Sequence, residues 1–529
     1  MLDINRLSQR YAALKDERSG WDEVWRAISE LFLPDRFRDD RDDTAYRRPR
    51  ISSRLVNSCG VLALRTLAAG MQGGMTSPAR PWFRLKLKSE EEAEGANAWL
   101  DETTTRMQSI LHESNFYNAV HGLYADLGAF GTGLLIETAD ENGIVFHLAR
   151  PGEYVIDVNG DNEVDTFFRR IRMTARQMVD RFGENACPEY VKTASAMTAA
   201  QNSRFNVIHG VFPRKDIDRT AKIGAKSMPF ASVYWLEGGA SQGRGHILSK
   251  GGFAGFPAFA PRWDVNGGDI YGRSPAMDAL PDCRMLQAMT SSLRKMQHKM
   301  TDPPLVADAS LKPYGVDDRP GAINFADAGA ILKNGAIQPI QQPQPTALQF
   351  TMQAIQDVEN VVREGLYSNL FRMLLDEDRK QITATEIQAK LQEKMILIGP
   401  VVERLHKELL EPLIVRTFEL MRQYQALPPL PEGIQGGELD VTFESVLAQA
   451  QKLTATSAID QGWAFVLQTA QADPNVLDMV NRDAMIRSYL ERTGMPESCV
   501  NDEEAIAKIR EERARAGRGA SPAGTGGAT

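Results

Sequence analysis

The nearest this chain comes to a phosphate-cradling loop is Gly224-Ala225-Lys226-Ser227. A nucleotide loop needs G-x-x-x-x-G-K-[ST], because its backbone donors and lysine must wrap the phosphates. Here a residue separates glycine from lysine and no upstream glycine matches, so the segment reads as an ordinary loop. Gly128-Ala129-Phe130-Gly131-Thr132-Gly133 is glycine-rich but lacks G-x-G-x-x-G spacing. A strand pattern follows it where a dinucleotide fold needs a helix, so it reads as a helix stop leading into a strand. The histidines, His112, His121, His147, His209, His246, His298 and His406, never stand at i, i+4 or beside a cysteine or carboxylate motif, which supports no metal site. Glu90-Glu91-Glu92 and Asp376-Glu377-Asp378 offer carboxylates for a two-metal nuclease, but consecutive side chains diverge and such runs mark solvated surface. Cys59, Cys187, Cys283 and Cys499 are far apart with no CxxC pair, so they read as reduced thiols. No catalytic residue, cofactor or metal is expected, and the chain reads as non-enzymatic.

The residues left to act are charges. Arg294, Lys295 and Lys299 cluster near the end of a helical stretch, with Lys295 and Lys299 one turn apart on one face. Such a face is one candidate for a contact with phosphates, which carry no sequence preference; the plainer alternatives are a solvated face or a salt bridge between subunits. The chain as a whole carries a net charge of −8, which argues against gripping nucleic acid as its main task. With 529 residues and 43% hydrophobic content, several substructures are expected. The N-terminal residues show no apolar signal core, and no run of eighteen apolar residues predicts a membrane span.

Three long helices must position these charges. Met277, Leu280, Cys283, Leu286, Met289, Leu293, Met296 and Met300 recur at steps of three and four over Ser274 to Met300, with Pro281 expected to kink or restart the helix. Leu348, Met352, Ile355, Val358, Val362, Leu366 and Leu370 repeat the spacing over Thr346 to Phe371. Each would be roughly 40 Å long, so the two can pair along their length. Thr383-Ala384-Thr385-Glu386 reads as a capping box opening a third helix through Ile387, Leu391, Met395, Ile398, Val402, Leu405, Leu409 and Leu413. Gly399-Pro400 and Pro412 should bend it.

Several segments in this order resemble the portal, or head-to-tail connector, proteins of short-tailed bacteriophages. They are Gly70-Met71-Gln72-Gly73-Gly74 through Ser77 to Phe83, Arg150-Pro151-Gly152-Glu153-Tyr154, Met173-Thr174-Ala175-Arg176-Gln177, Tyr271-Gly272-Arg273-Ser274-Pro275, Asp302-Pro303-Pro304-Leu305-Val306 and the Thr383 capping box. No one of these is specific alone; their order and spacing are. The resemblance covers nearly the whole chain and implies an α+β portal fold: a mixed wing over 1–270, stem helices over 271–300 and 346–371 flanking a small β clip over 301–345, and a tunnel loop over 372–382. A long kinked wing helix with a returning strand (383–444), a helical crown (445–515) and a disordered tail (516–529) complete it.

The resemblance further implies a ring of about twelve copies at one capsid vertex of the virion, assembled in the host cytoplasm, through which double-stranded DNA enters and leaves without sequence preference. At −8 per copy the ring would carry roughly −96. Its implied partners are its own copies, the terminase large subunit and tail adaptor at the clip, and major capsid and scaffold proteins at the wing, with no membrane. Leu374, Leu375, Asp376, Glu377, Asp378, Arg379 and Lys380 fall in the implied tunnel loop, and Arg294, Lys295 and Lys299 on the channel wall. A tail or adaptor ring and a packaging-motor enzyme are the alternatives.

The residues also predict smaller elements. A helix over 1–33 buries Trp21, Val24, Trp25, Ile28 and Leu31 and ends at Pro34, and Arg36 to Arg54 is an exposed charged arm. Helices are expected over Ser52 to Ala69, Glu90 to Ser114 and Tyr117 to Gly128. Strands are expected at Leu134–Glu137, Ile144–Leu148, Tyr154–Val158, Thr166–Arg172, Asn206–Phe212, Ala231–Leu236 and Phe256–Phe259, with breaks at Gly238-Gly239 and Gly251-Gly252. Further strands are expected at Leu305–Ala307, Ala322–Phe325, Ala336–Ile340 and Glu438–Phe443, with a helical module over Val446 to Arg513.

Overall fold

The computed structural model describes residues 3–38, 55–87, 96–140, 143–214, 227–238, 245–303, 305–308, 317, 319, 321–326, 338–339, 345–375, 397–429, 439–443, 462–470, 476, 479–493, 506 and 508–513. Expectations for the Asp376 to Lys380 segment, the Thr383 capping box, most of the charged arm and the C-terminal tail lie outside them.

Helix α1 (Ile4–Leu31) starts where Asp3 accepts from the Asn5 amide. Trp25, Ile28 and Leu31 are buried as expected, whereas Val24 is exposed. Its first half lies on the five-stranded antiparallel sheet β4 (Tyr154–Val158), β5 (Val164–Thr174), β6 (Arg204–Pro213), β7 (Phe230–Leu236) and β8 (Ile247–Phe253), adjacent in that order. Strand alternation divides the sheet: Phe168, Ile208, Phe212, Val233 and Trp235 face Leu7 and Leu14 of α1. Met173, Val207 and Leu236 face α5 (Ala175–Phe182) and α6 (Glu189–Ala196). Thr174 and Gln177 form the capping box that opens α5. Strand β8 runs through Gly251-Gly252, where the sequence pattern predicts a break, because Ser232 and Ala231 of β7 pair across those glycines.

Beside this sheet, α2 (Cys59–Met75) packs on α4 (Phe116–Phe130), and α3 (Ala96–Glu113) on β1 (Phe83–Leu87). The core splits about α2. Leu67, Met71 and Met75 join α3, α4 and the helix over 397–405, while Ala63 and Leu64 join α1, α4 and the paired helices. Gly131 ends α4 in the left-handed conformation at φ 75°. A methyl there would stand 2.2 Å from the Gly272 carbonyl oxygen, and one on Gly272 would stand 2.4 Å from that of Gly131. Each glycine is thus demanded by the other, which joins the helix stop to the Tyr271-Gly272 segment. The small sheet β3 (Gly143–Leu148), β2 (Leu135–Asp140), β9 (Ala258–Phe259) lies alongside.

The segment between the paired helices holds a three-stranded sheet, β11 (Ile323–Ala326), β10 (Leu305–Asp308) and β12 (Gln338–Pro339), with β10 parallel to β11. Downstream, 397–405 is α-helical and His406–Leu410 is π-helical, the Glu411 amide donating to the His406 carbonyl. The helix resumes as Glu411–Gln423 with Pro412 in its first turn. A proline there cannot donate to the preceding turn, and the widened π turn absorbs that missing bond. The expected returning strand, β13 (Leu439–Phe443), pairs antiparallel with β1, a partner the sequence reading did not include.

Candidate functional site

The paired helices are the part of the molecule that the sequence singles out. The first begins with a short turn, α7 (Pro275–Asp278), where the Ser274 hydroxyl accepts from the Met277 amide and donates to the Ala129 carbonyl. It restarts at Pro281 as α8 (Leu280–Thr301), as expected. The second, α9 (Pro345–Gly365), stops earlier than expected: Tyr367 takes φ 54°, and a separate helix α10 (Ser368–Leu375) turns onto α2. Leu366 and Leu370 therefore do not share one straight stripe. Leu366 closes the core beside α8, and Leu370 enters the core beneath α2.

Helices α8 and α9 pack against each other through Cys283, Leu286, Met289 and Leu293 on one side and Ile355, Val358 and Val362 on the other. They run antiparallel, with Gly365 against Ala279 at one end. A polar tether fixes their register. The Gln287 side-chain oxygen accepts from the amides of Val56 and Asn57 at 2.7 and 2.8 Å, and its nitrogen donates to the Asn57 carbonyl at 2.8 Å. The Asn57 side-chain nitrogen donates both to Thr290 Oγ1 (3.3 Å) and to Glu359 Oε1 (3.0 Å), so Thr290 and Glu359 stand level across the pair. Arg363 donates to the other oxygen of Glu359 at 2.6 Å. Gln287 and Asn57 were missed by sequence reading; the only signal was a glutamine on the edge of an apolar stripe.

The expected channel residues divide. Arg294 is exposed but donates to the Val56 carbonyl at 3.0 Å, so it serves the same tether. Lys295 is exposed and Lys299 half-buried on the outer side of α8. Leu374 and Leu375 end α10, and Asp376, Glu377, Asp378, Arg379 and Lys380 lie outside the described residues.

Elsewhere, buried charges join distant segments. Arg36, expected in an exposed arm, donates to both oxygens of the buried Asp126 at 2.7 and 2.6 Å. Burial outweighs the guanidinium and holds the Asp126 carboxyl above its usual range. Arg262 grips both oxygens of Glu408 in the π turn, as well as Asn162 in the β4–β5 turn. Burial pushes Glu137 up to about 7, although Arg416 lies 3.6 Å away and Thr417 donates to it. The facing Glu137 Oε2 and Arg416 Nε make no hydrogen bond. Burial also raises the Cys59 thiol, and carries that of Cys283 to about 11, leaving both largely protonated at neutral pH. Among the described residues no group of three or more His, Cys, Asp or Glu side chains could hold a metal ion, and no helix is long and apolar enough to cross a membrane.

Comparison with known proteins agrees with the resemblance. A protein of Bordetella phage BPP-1 described as a probable portal protein is 37% identical over 516 residues, covering 96% of this chain and 90% of its own length. The portal protein of Salmonella phage epsilon15 is 33% identical over 514 residues, covering 96% and 91%. A chain from the neck of an empty GTA particle, computed with C6 symmetry, covers 78% of this chain and 86% of its own at 12% identity and a TM-score of 0.35, too loose a likeness to add weight. The model of the family described as "Bacteriophage head to tail connecting protein" matches residues 5–500, and the chain belongs to that family.

Proposed function

We propose that the chain is a portal protein: about twelve copies close into a ring at one capsid vertex, and double-stranded DNA enters and leaves along its axis. The observation that carries this reading is the relatedness to two phage portal proteins over 96% of the chain. The antiparallel α8–α9 pair, tethered by Gln287 and Asn57, supports it as a stiff element suited to a channel wall. In this reading α8 and α9 are the stem, and the three-stranded sheet between them is the clip that meets the terminase large subunit and then the tail adaptor. Residues 1–270 form the wing facing capsid and scaffold proteins, and 372–382 the tunnel loop. The crown follows over 445–515. The ring acts through its shape and not through catalysis, and cyclic closure requires one heterologous interface repeated around the axis.

Electron microscopy of the purified protein, with its mass in solution, tests this. A rotationally symmetric ring with an axial opening wide enough for duplex DNA is the expected result. A persistent monomer under assembly-permissive conditions would overturn it.

A further inference from the structure

Charges on the outer faces of the paired helices are sorted by sign. After Asp282, in its first turn, α8 has no carboxylate; its outward side carries Arg284, Ala288, Ser291, Ser292 and Lys295 at steps of three and four. The outward side of α9 carries Asp357 and Glu364, and its one basic residue, Arg363, is committed to Glu359. Arg284, Lys295, Asp357 and Glu364 are all exposed, and among the described residues none of the four forms an ion pair. Exposed apolar side chains flank them: Met285 beside Arg284, and Phe350 and Val361 on the face of Asp357, with Phe350 74% exposed. Side chains of this size standing in water beside unpaired charge describe a surface awaiting a partner.

We propose that the outer face of α8 in one copy docks on the outer face of α9 in the next, pairing Arg284 with Glu364 and Lys295 with Asp357. This rests on the ring reading above, and it reassigns Lys295 from the channel wall to the contact between copies. The occupant is a second copy because the complementary faces belong to the same pair of helices, which is the arrangement a head-to-tail contact needs. Register supports it independently. Rotation about a ring axis moves each copy without raising it, so helices running along the axis keep the levels they have within one chain. Thr290 stands level with Glu359 through Asn57. Counted from that level, Glu364 falls within about one residue of Arg284 and Asp357 within about one turn of Lys295; counted from the Gly365–Ala279 contact, the offsets are about one turn and about two turns, so the level match is closer for Arg284 with Glu364 than for Lys295 with Asp357.

The test uses the full chain with two double substitutions, R284E/K295E and D357K/E364K. Each makes both outer faces alike in sign, so each alone should remain folded by circular dichroism yet need roughly tenfold more protein for half-assembly. Mixed in equal amounts, the two should restore rings, with alternating copies seen by mass spectrometry of differently labelled chains, since every contact then joins opposite signs. Variants that assemble at the wild-type concentration, or a mixture that fails to recover, would overturn the interface while wild-type rings leave the portal reading standing. K295E rings that form normally but retain less DNA would return Lys295 to the channel wall. A wild-type chain that forms no ring removes both readings.

Discussion

Two buried groups make opposite demands on pH. Glu137 rises from the ordinary 4.5 to about 7 because burial penalises its charge more than Arg416 and Thr417 relieve it. Between those values the folded chain holds a proton that the unfolded chain has released, so this group lowers stability as pH rises, by on the order of 3 kcal/mol in all. His406 lies flat on Phe443, ring centroids 4.3 Å apart, and burial lowers it from 6.5 to about 4. Here the unfolded chain takes up the proton first, so stability is complete above about 6.5 and falls by ~3 kcal/mol as pH drops toward 4. The two slopes oppose each other in the wild type. Glu137→Gln should therefore uncover a stability that climbs from pH 4 to 6.5, and His406→Phe one that falls from pH 5 to 7, both read by urea unfolding. Parallel curves for all three proteins would show that neither group carries the linkage. Gln287→Leu keeps the volume but abandons the amides of Val56 and Asn57, and should cost about 1–3 kcal/mol in the same assay. Residue-level features of this kind were mostly illegible in the sequence. Arg36 sat in a run of mixed charge, and nothing in its neighbours announces Asp126, ninety residues away, as its buried partner.

Between elements, the approach of α10 to α2 depends on an absent side chain. A Cβ at Gly70 would stand 2.1 Å from Phe371 Cγ and 2.5 Å from its Cβ, the fixed base of that side chain and not its movable end. Gly70→Ala should lower stability by about 1–3 kcal/mol, and Phe371→Ala in the same chain should remove the clash while leaving a cavity. A double-substitution cycle of thermal unfolding measures this; additive effects would mean that α10 does not rest on Gly70. The glycines of the Gly70 to Gly74 segment were legible as a carrier of the family resemblance, but not as a contact, because spacing alone does not say which helix comes close. The same limit explains the α9 boundary. Leu366 and Leu370 continue the three-four spacing of Thr346 to Phe371, so the pattern runs through a break that only the positive φ of Tyr367 reveals. Proline effects were more readable, since Pro281 restarts α8 and Pro412 follows a π turn for local reasons of donor loss. The pairing of β13 with β1 joins residues more than three hundred positions apart, and no local pattern encodes it.

For the whole molecule, the useful signal was the order of elements more than any site: two apolar stripes around a strand-rich insert are legible from spacing, and the helices that carry them pack on each other, though the second ends at Gly365 and not at Phe371. The net charge of −8 then has a consequence that no single residue carries. A protein that grips DNA gathers lysine and arginine on one surface and loses affinity steeply with salt, roughly one power of concentration for each phosphate neutralised. Here α8 is basic only on part of its face, Arg294 is committed to the Val56 carbonyl, and Lys295 is assigned by the proposal above to the neighbouring copy. Closing acidic copies into the proposed ring would add a repulsive field that further weakens phosphate contacts at rest. Assembled rings should therefore show no measurable retention of a short, open-ended duplex at about 0.15 M salt, followed by fluorescence anisotropy. Tight binding at that salt, with a slope of log affinity against log salt equivalent to several phosphates, would mean that the bore holds DNA by charge. Loss of the duplex at every concentration tried is what a conduit requires, because a channel that bound its passenger tightly would arrest it.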